Sequence, residues 1–182
     1  MEDIKKQVIL LSLIEKMKES GSWCGETHIQ KSVFFLQEML GVPTQFDFIL
    51  YKHGPFSFDL RDKLSEMKAN MLLDIQSQPY PYGPSYIPGE TASNIRSMYP
   101  KTYNKYEKQI EFISENLSNL GVAQLERLAT ALLVTLEEGE DQPVDSRAQK
   151  VHQLKPHVPL NQAIDAVQRI DKFRELMKKK IH

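Results

Sequence analysis

Apolar residues recur with helical spacing at both ends of this chain, and alternate in strand-like fashion only in the middle. Residues 3–18 predict a first helix, apolar on most sides around 8–14 and ended by Gly21-Ser22. A second helix is expected from about Thr27, with Ile29, Val33, Leu36 and Leu40 on one face and Phe34 and Phe35 broadening it; Gly41 and Pro43 close it. Phe46, Phe48 and Leu50 then alternate with Asp47 and Ile49, which reads as a short extended segment. Gly54-Pro55 is expected to stop it as a rigid corner, since proline cannot donate to a sheet ladder. Ser57 offers an oxygen to the free amides of a third helix, which turns Leu60 and Leu64 inward. The short apolar runs 71–75 and 86–87 flank a Pro/Tyr loop, residues 79–84, and read as a hairpin with that loop at its tip.

The second half is helical by pattern. Tyr103, Tyr106, Ile110, Ile113, Leu117 and Leu120 follow alternating spacings of three and four, giving one apolar stripe too long to stay in solvent. Gly121 separates it from a helix carrying Val122, Leu125, Leu128, Leu132, Leu133 and Leu136, which Gly139 stops. After an acidic loop, Asp145 is expected to cap a short helix that Pro156 cuts off. A last helix buries Leu160, Ile164, Val167, Ile170 and Phe173. It ends in Lys178-Lys179-Lys180, whose charges complement its dipole.

Three helices followed by a two-stranded hairpin is the order of a winged helix. The chain is therefore expected to be α+β and mostly helical, with a winged-helix-like part at residues 1–90 that carries a small β-hairpin. Residues 91–182 are expected to form a C-terminal helical subdomain packed on it as a single compact unit. A chain of 182 residues can bury such a core.

Composition narrows the chemistry more than it defines it. Lys and Arg total 23 against 24 Asp and Glu, a net charge of -1 that implies no global attraction to nucleic acid or membrane. The lone Cys24 excludes an internal disulfide framework, and no signal peptide or spanning segment is read, so a cytoplasmic protein is expected. Cys24 and His28 are spaced as a helical nucleophile–base pair, but no orienting third group accompanies them, and a buried thiol is the commoner use of one cysteine. His152 and His157 are separated by Pro156, so metal binding would need ligands from elsewhere. With no phosphate loop or clustered carboxylates either, no catalytic residue, metal or cofactor is expected.

Nucleic-acid binding is invited by the helix order and weakened by the charges. The third helix mixes Asp59, Arg61, Asp62, Lys63, Glu66 and Lys68, and residues 71–89 hold Asp74 but no Lys or Arg. Lys101, Lys105 and Lys108, interleaved with Tyr99, Tyr103 and Tyr106, could line a groove through charge and stacking. The same tyrosines suit the buried stripe, and that reading is favoured.

The block 28–38 (HIQKSVFFLQE), followed by Phe46-Asp47-Phe48, Tyr51-Lys52-His53-Gly54-Pro55-Phe56-Ser57 and Leu60, resembles a bacterial and phage family. That family includes YwgA-like proteins of unknown function and the C-terminal domain of the DarG antitoxin; more distantly the block is similar to Panacea (SocA-like) antitoxin domains. Leu125-Glu126-Arg127-Leu128-Ala129-Thr130 and Leu154-Lys155-Pro156-His157 also resemble the first group. The resemblance implies a non-catalytic role, since the DarG domain blocks its toxin by direct contact. The macrodomain that reverses DNA ADP-ribosylation in DarG has no counterpart in this chain.

The expected function is thus contact with a macromolecule, most readily a toxin-like protein partner in an antitoxin or phage-defence setting. The alternative is a winged-helix DNA-binding regulator, and no membrane partner is expected. The expected contact residues are Arg61, Lys63 and Lys68 on the third helix, with Tyr80 and Tyr82 on the rigid loop as interface anchors. An equal reading packs those tyrosines on the protein's own helices. Lys52 and His53 are either part of the contact or decoration of the Gly54-Pro55 corner.

Overall fold

The computed structural model describes residues 2–79 and 83–180. Among these it is mostly helical with a small β component, eight α-helices and two separate two-stranded antiparallel sheets. The chain forms two compact units. One contains the residues up to Phe48 and Ser57–Leu120; the other contains Ile49–Phe56 and the residues from Gly121 onward.

The first unit is built around α1 (Asp3–Glu19), whose residues 8–11, 13 and 14 have no solvent exposure. A helix apolar on all sides must be covered on all sides, and here α4 (Ala92–Met98), α5 (Pro100–Leu117) and the strand β4 (Ser85–Pro88) cover it. Four residues of the expected stripe are buried, Tyr106, Ile110, Ile113 and Leu117 all being under a tenth exposed, whereas Tyr103 and Leu120 are half-buried and Leu120 lies past the end of α5. Because α4 and α5 pack on α1, the division between units falls after Leu120, not at the 90/91 boundary drawn from the sequence.

The helix α2 (Glu26–Phe34) runs into a π-helical turn, Phe35–Met39. Two glutamines seven positions apart, hence on one face, leave this segment to clamp irregular backbone. Gln37 Oε1 accepts from Thr44 Oγ1 (2.7 Å) and Phe46 N (2.8 Å), while its Nε2 donates to the Phe46 carbonyl (2.9 Å). Gln30, fully buried, accepts from Ser57 N and donates to Ser57 O, both at 2.9 Å. These bonds explain a departure from expectation. Phe46 already spends both backbone groups on Gln37, so residues 46–48 do not join a ladder, and the strand β1 is only Ile49–Tyr51. Ser57 does cap α3 (Phe58–Ala69), its Oγ accepting from Leu60 N at 3.2 Å, and β3 (Leu73–Gln76) pairs with β4.

In the second unit α6 (Val122–Glu138), α7 (Val144–Leu154) and α8 (Leu160–Lys180) pack around Leu125, Leu132, Ala148, Val151, Val167 and Ile170. Arg147 is 3% exposed and ties α7 to its neighbours: it holds both oxygens of Asp171 on α8 (2.8 and 2.7 Å), Thr135 Oγ1 on α6 and the Gln142 carbonyl. Asp145 is not the cap expected of it; the cap position is Pro143, and Asp145 lies within the first turn. The hairpin of β1 and β2 (Gly54–Phe56) completes this unit against α6.

Candidate functional site: a hairpin tip pinned by a buried lysine

The pairing Ile49↔Phe56, Leu50↔Pro55, Tyr51↔Gly54 leaves Lys52 and His53 as a two-residue loop. The chain therefore reverses one step earlier than the sequence implied. Gly54-Pro55 is not the corner that stops a strand; it is the start of the return strand. Gly54 adopts φ +85°, a conformation that side chains disfavour, and this lets so short a loop close. Gly54 and Pro55 are buried, whereas β1 is not: Ile49, Leu50 and Tyr51 are 50%, 38% and 52% exposed.

Beneath the loop lies a charged cluster that holds it. Lys155 follows α7 directly, and the next residue, Pro156, disfavours helical backbone at Lys155, which the C-cap leaves with φ −133° and ψ 77°. Its ammonium donates to the carbonyls of Tyr51 (3.0 Å) and Lys52 (2.6 Å) and stands 3.5 Å from Glu126 Oε1. Both side chains of this ion pair are more than nine-tenths buried. His157 Nε2 lies 3.4 Å from the same oxygen and His53 Nδ1 3.6 Å from Oε2, with both imidazoles mostly in solvent. A buried charge is tolerated when it is paired and its remaining donors are used. Here Lys155 satisfies the loop carbonyls and Glu126 neutralises Lys155. The result is a loop whose backbone is fixed from below while its side chains stay outside.

The residues singled out from the sequence are divided between the two units. Lys52 and His53 occupy the loop tip in the second unit, whereas Arg61, Lys63 and Lys68 belong to α3 in the first. Arg61 is exposed, 3.6 Å from Asp62 and with its guanidinium over the Phe58 ring. Lys63 is engaged within the protein, bonded at 2.6 Å to both Asp3 and Glu66. Burial lowers the Lys63 pKa, but those two carboxylates outweigh it and the net shift is upward. Lys68 is exposed. Tyr80 and Tyr82 lie outside the described residues. Glu126 and Lys155 are the functional-looking groups that composition and spacing did not select. The signal was present for Glu126, which shares a helical face with Ala129, Thr130 and Leu133.

The Cys24–His28 pair is not formed. Cys24 precedes α2, so the two are not one turn apart on a helix. Its thiol donates to the Ile14 carbonyl at 3.7 Å, and burial pushes its pKa up, away from the reactive thiolate. His28 donates from Nε2 to the Leu120 carbonyl at 3.0 Å. Among the described residues, no three His, Cys, Asp or Glu side chains are grouped to hold a metal ion, and no helix is long and apolar enough to cross a membrane. No protein-family model matches this chain, and no curated protein matches its sequence significantly.

Proposed function

We propose that this protein works by direct contact with a protein partner, without turnover, and that the β1–β2 tip is the contact. The observation that carries the reading is three consecutive large apolar side chains exposed on a strand whose loop is pinned by a buried lysine. Ordering a flexible loop on binding opposes affinity; a loop already fixed avoids much of that loss. Tyrosine and bulky aliphatic anchors on such a frame are the side chains that dominate interface energies, while Lys52 and His53 provide a polar rim. The antitoxin-like resemblance of the segments 28–38, 51–57, 125–130 and 154–157 makes a toxin-like protein in the cytoplasm the partner class.

A DNA-binding regulator is the second reading, favoured by the order α1–α2–α3–β3–β4, which a winged helix would share. The same α3 weakens it, because Lys63 is tied to Asp3 and Glu66 and cannot serve phosphates.

The test is capture from the native host, identification of the captured protein, and titration of the purified pair. Ile49→Asp and Tyr51→Ala, each checked for an unchanged melt, should weaken binding by about 10-fold or more, on the order of 1–3 kcal/mol per anchor. Unchanged affinity in both variants would refute the hairpin contact. Recovery of a specific duplex DNA with steep salt dependence, and of no protein, would favour the regulator.

A further inference from the structure

Two helical stripes of the second unit face each other across a groove of about 160 Å³. One stripe is Gln124, Arg127 and Leu128 of α6; on α8 the spacing of Gln162, Asp165, Ala166 and Arg169 likewise keeps one face. Leu128 and Ala166 are 3% and 5% exposed and form an apolar floor. Arg127 and Arg169, one from each helix, both line the groove. Among the described residues neither has a carboxylate within ion-pair distance, although Asp165 lines the groove too. The Arg169 guanidinium lies 5.3 Å from the centre of the Phe173 ring. A cation–π contact of this kind does not consume the N–H donors of the guanidinium. Gln124 Oε1 accepts from Gly121 N at 3.2 Å, so its amide NH₂ also remains to donate.

Like charges sharing a groove over an apolar floor repel more than they would in open water. An anion between them reverses the sign of that interaction, and a guanidinium fork matches phosphate or carboxylate oxygens two at a time. We propose that this groove binds a small oxyanion group, a phosphate or a carboxylate. Its size suits a single such group, and Asp165 disfavours a second negative charge beside it. This site is independent of the hairpin contact.

The experiment is titration of the full chain with inorganic phosphate and, separately, with acetate at constant ionic strength, followed by amide NMR shifts. Saturable shifts at residues 124–128 and 162–169 are expected, and the anion that saturates at lower concentration identifies the ligand class. Arg127→Gln/Arg169→Gln should abolish saturation; if that pair fails to fold, Arg127→Gln alone should weaken it about 10-fold, the equivalent of one charge-assisted contact. Asp165→Asn should tighten binding several-fold. Linear shifts for both anions, shifts retained in the arginine variants, or no gain in Asp165→Asn would each overturn the proposal.

Discussion

Replacing Lys155 by methionine tests the pinned hairpin most directly, because methionine keeps an unbranched stem and removes the charge with its donors. The Lys155 and Glu126 side chains are 8% and 9% exposed, so solvent screens their attraction little. Removing one member of a buried pair costs about 3–5 kcal/mol, since the other charge is left uncompensated. The Tyr51 and Lys52 carbonyls also lose their ammonium donor. Those residues are exposed, so water can take its place, and each loss is about 1 kcal/mol or less. The Lys155–Glu126 separation of 3.5 Å is also longer than a charge-assisted hydrogen bond. The lower end of the range, about 3 kcal/mol, is therefore expected for the second unit. Urea melts of wild type, Lys155→Met, Glu126→Gln and the double variant give the coupling energy, and amide exchange at residues 51–56 reports the loop itself. The double variant should regain more than half of the loss in Lys155→Met. A single variant within about 0.5 kcal/mol of wild type, the size of an ordinary surface substitution, would refute the reasoning. So would losses that simply add.

Two further outcomes concern the hairpin glycine and a buried histidine of the first unit. Gly54→Val should destabilise by about 1–3 kcal/mol, because Gly54 sits at φ +85° in a buried position and valine is strained there; a melt within a degree of wild type would show that the turn does not depend on glycine. His28 has its pKa lowered from 6.5, chiefly by burial, which outweighs the Leu120 carbonyl bond that acts in the opposite direction. The unfolded chain therefore takes up this proton first as pH falls. The stability contributed by neutral His28 is full above pH 6.5 and is lost as pH drops from there through the folded value. Urea midpoints at pH 7.5 and 5 should differ less in His28→Gln than in wild type; equal differences would exclude His28 as the source.

The sequence by itself determined the elements whose cause is local. The all-round apolar run of α1, the three–four spacing of α5, the stop of α6 at Gly139 and the Ser57 cap are each set by residues within a turn or two, and each stands within a turn of where the pattern placed it. The mostly helical α+β class follows from them. Tertiary structure decided the rest, because the deciding partners are far away in the chain. Gln37 withdraws Phe46 from the strand across 9 positions, and Gln30 fixes Ser57 across 27. Lys155 reaches Tyr51 across 104. Periodicity shows which side of a helix is apolar; it does not show which carbonyl a buried ammonium will meet. For that reason Glu126 and Lys155 did not stand out by spacing, Lys63 resembled a free surface cation until Asp3 and Glu66 were seen on it, and Gly54-Pro55 resembled a corner. A buried charge is placed only where its partners converge, and convergence is a property of the folded chain.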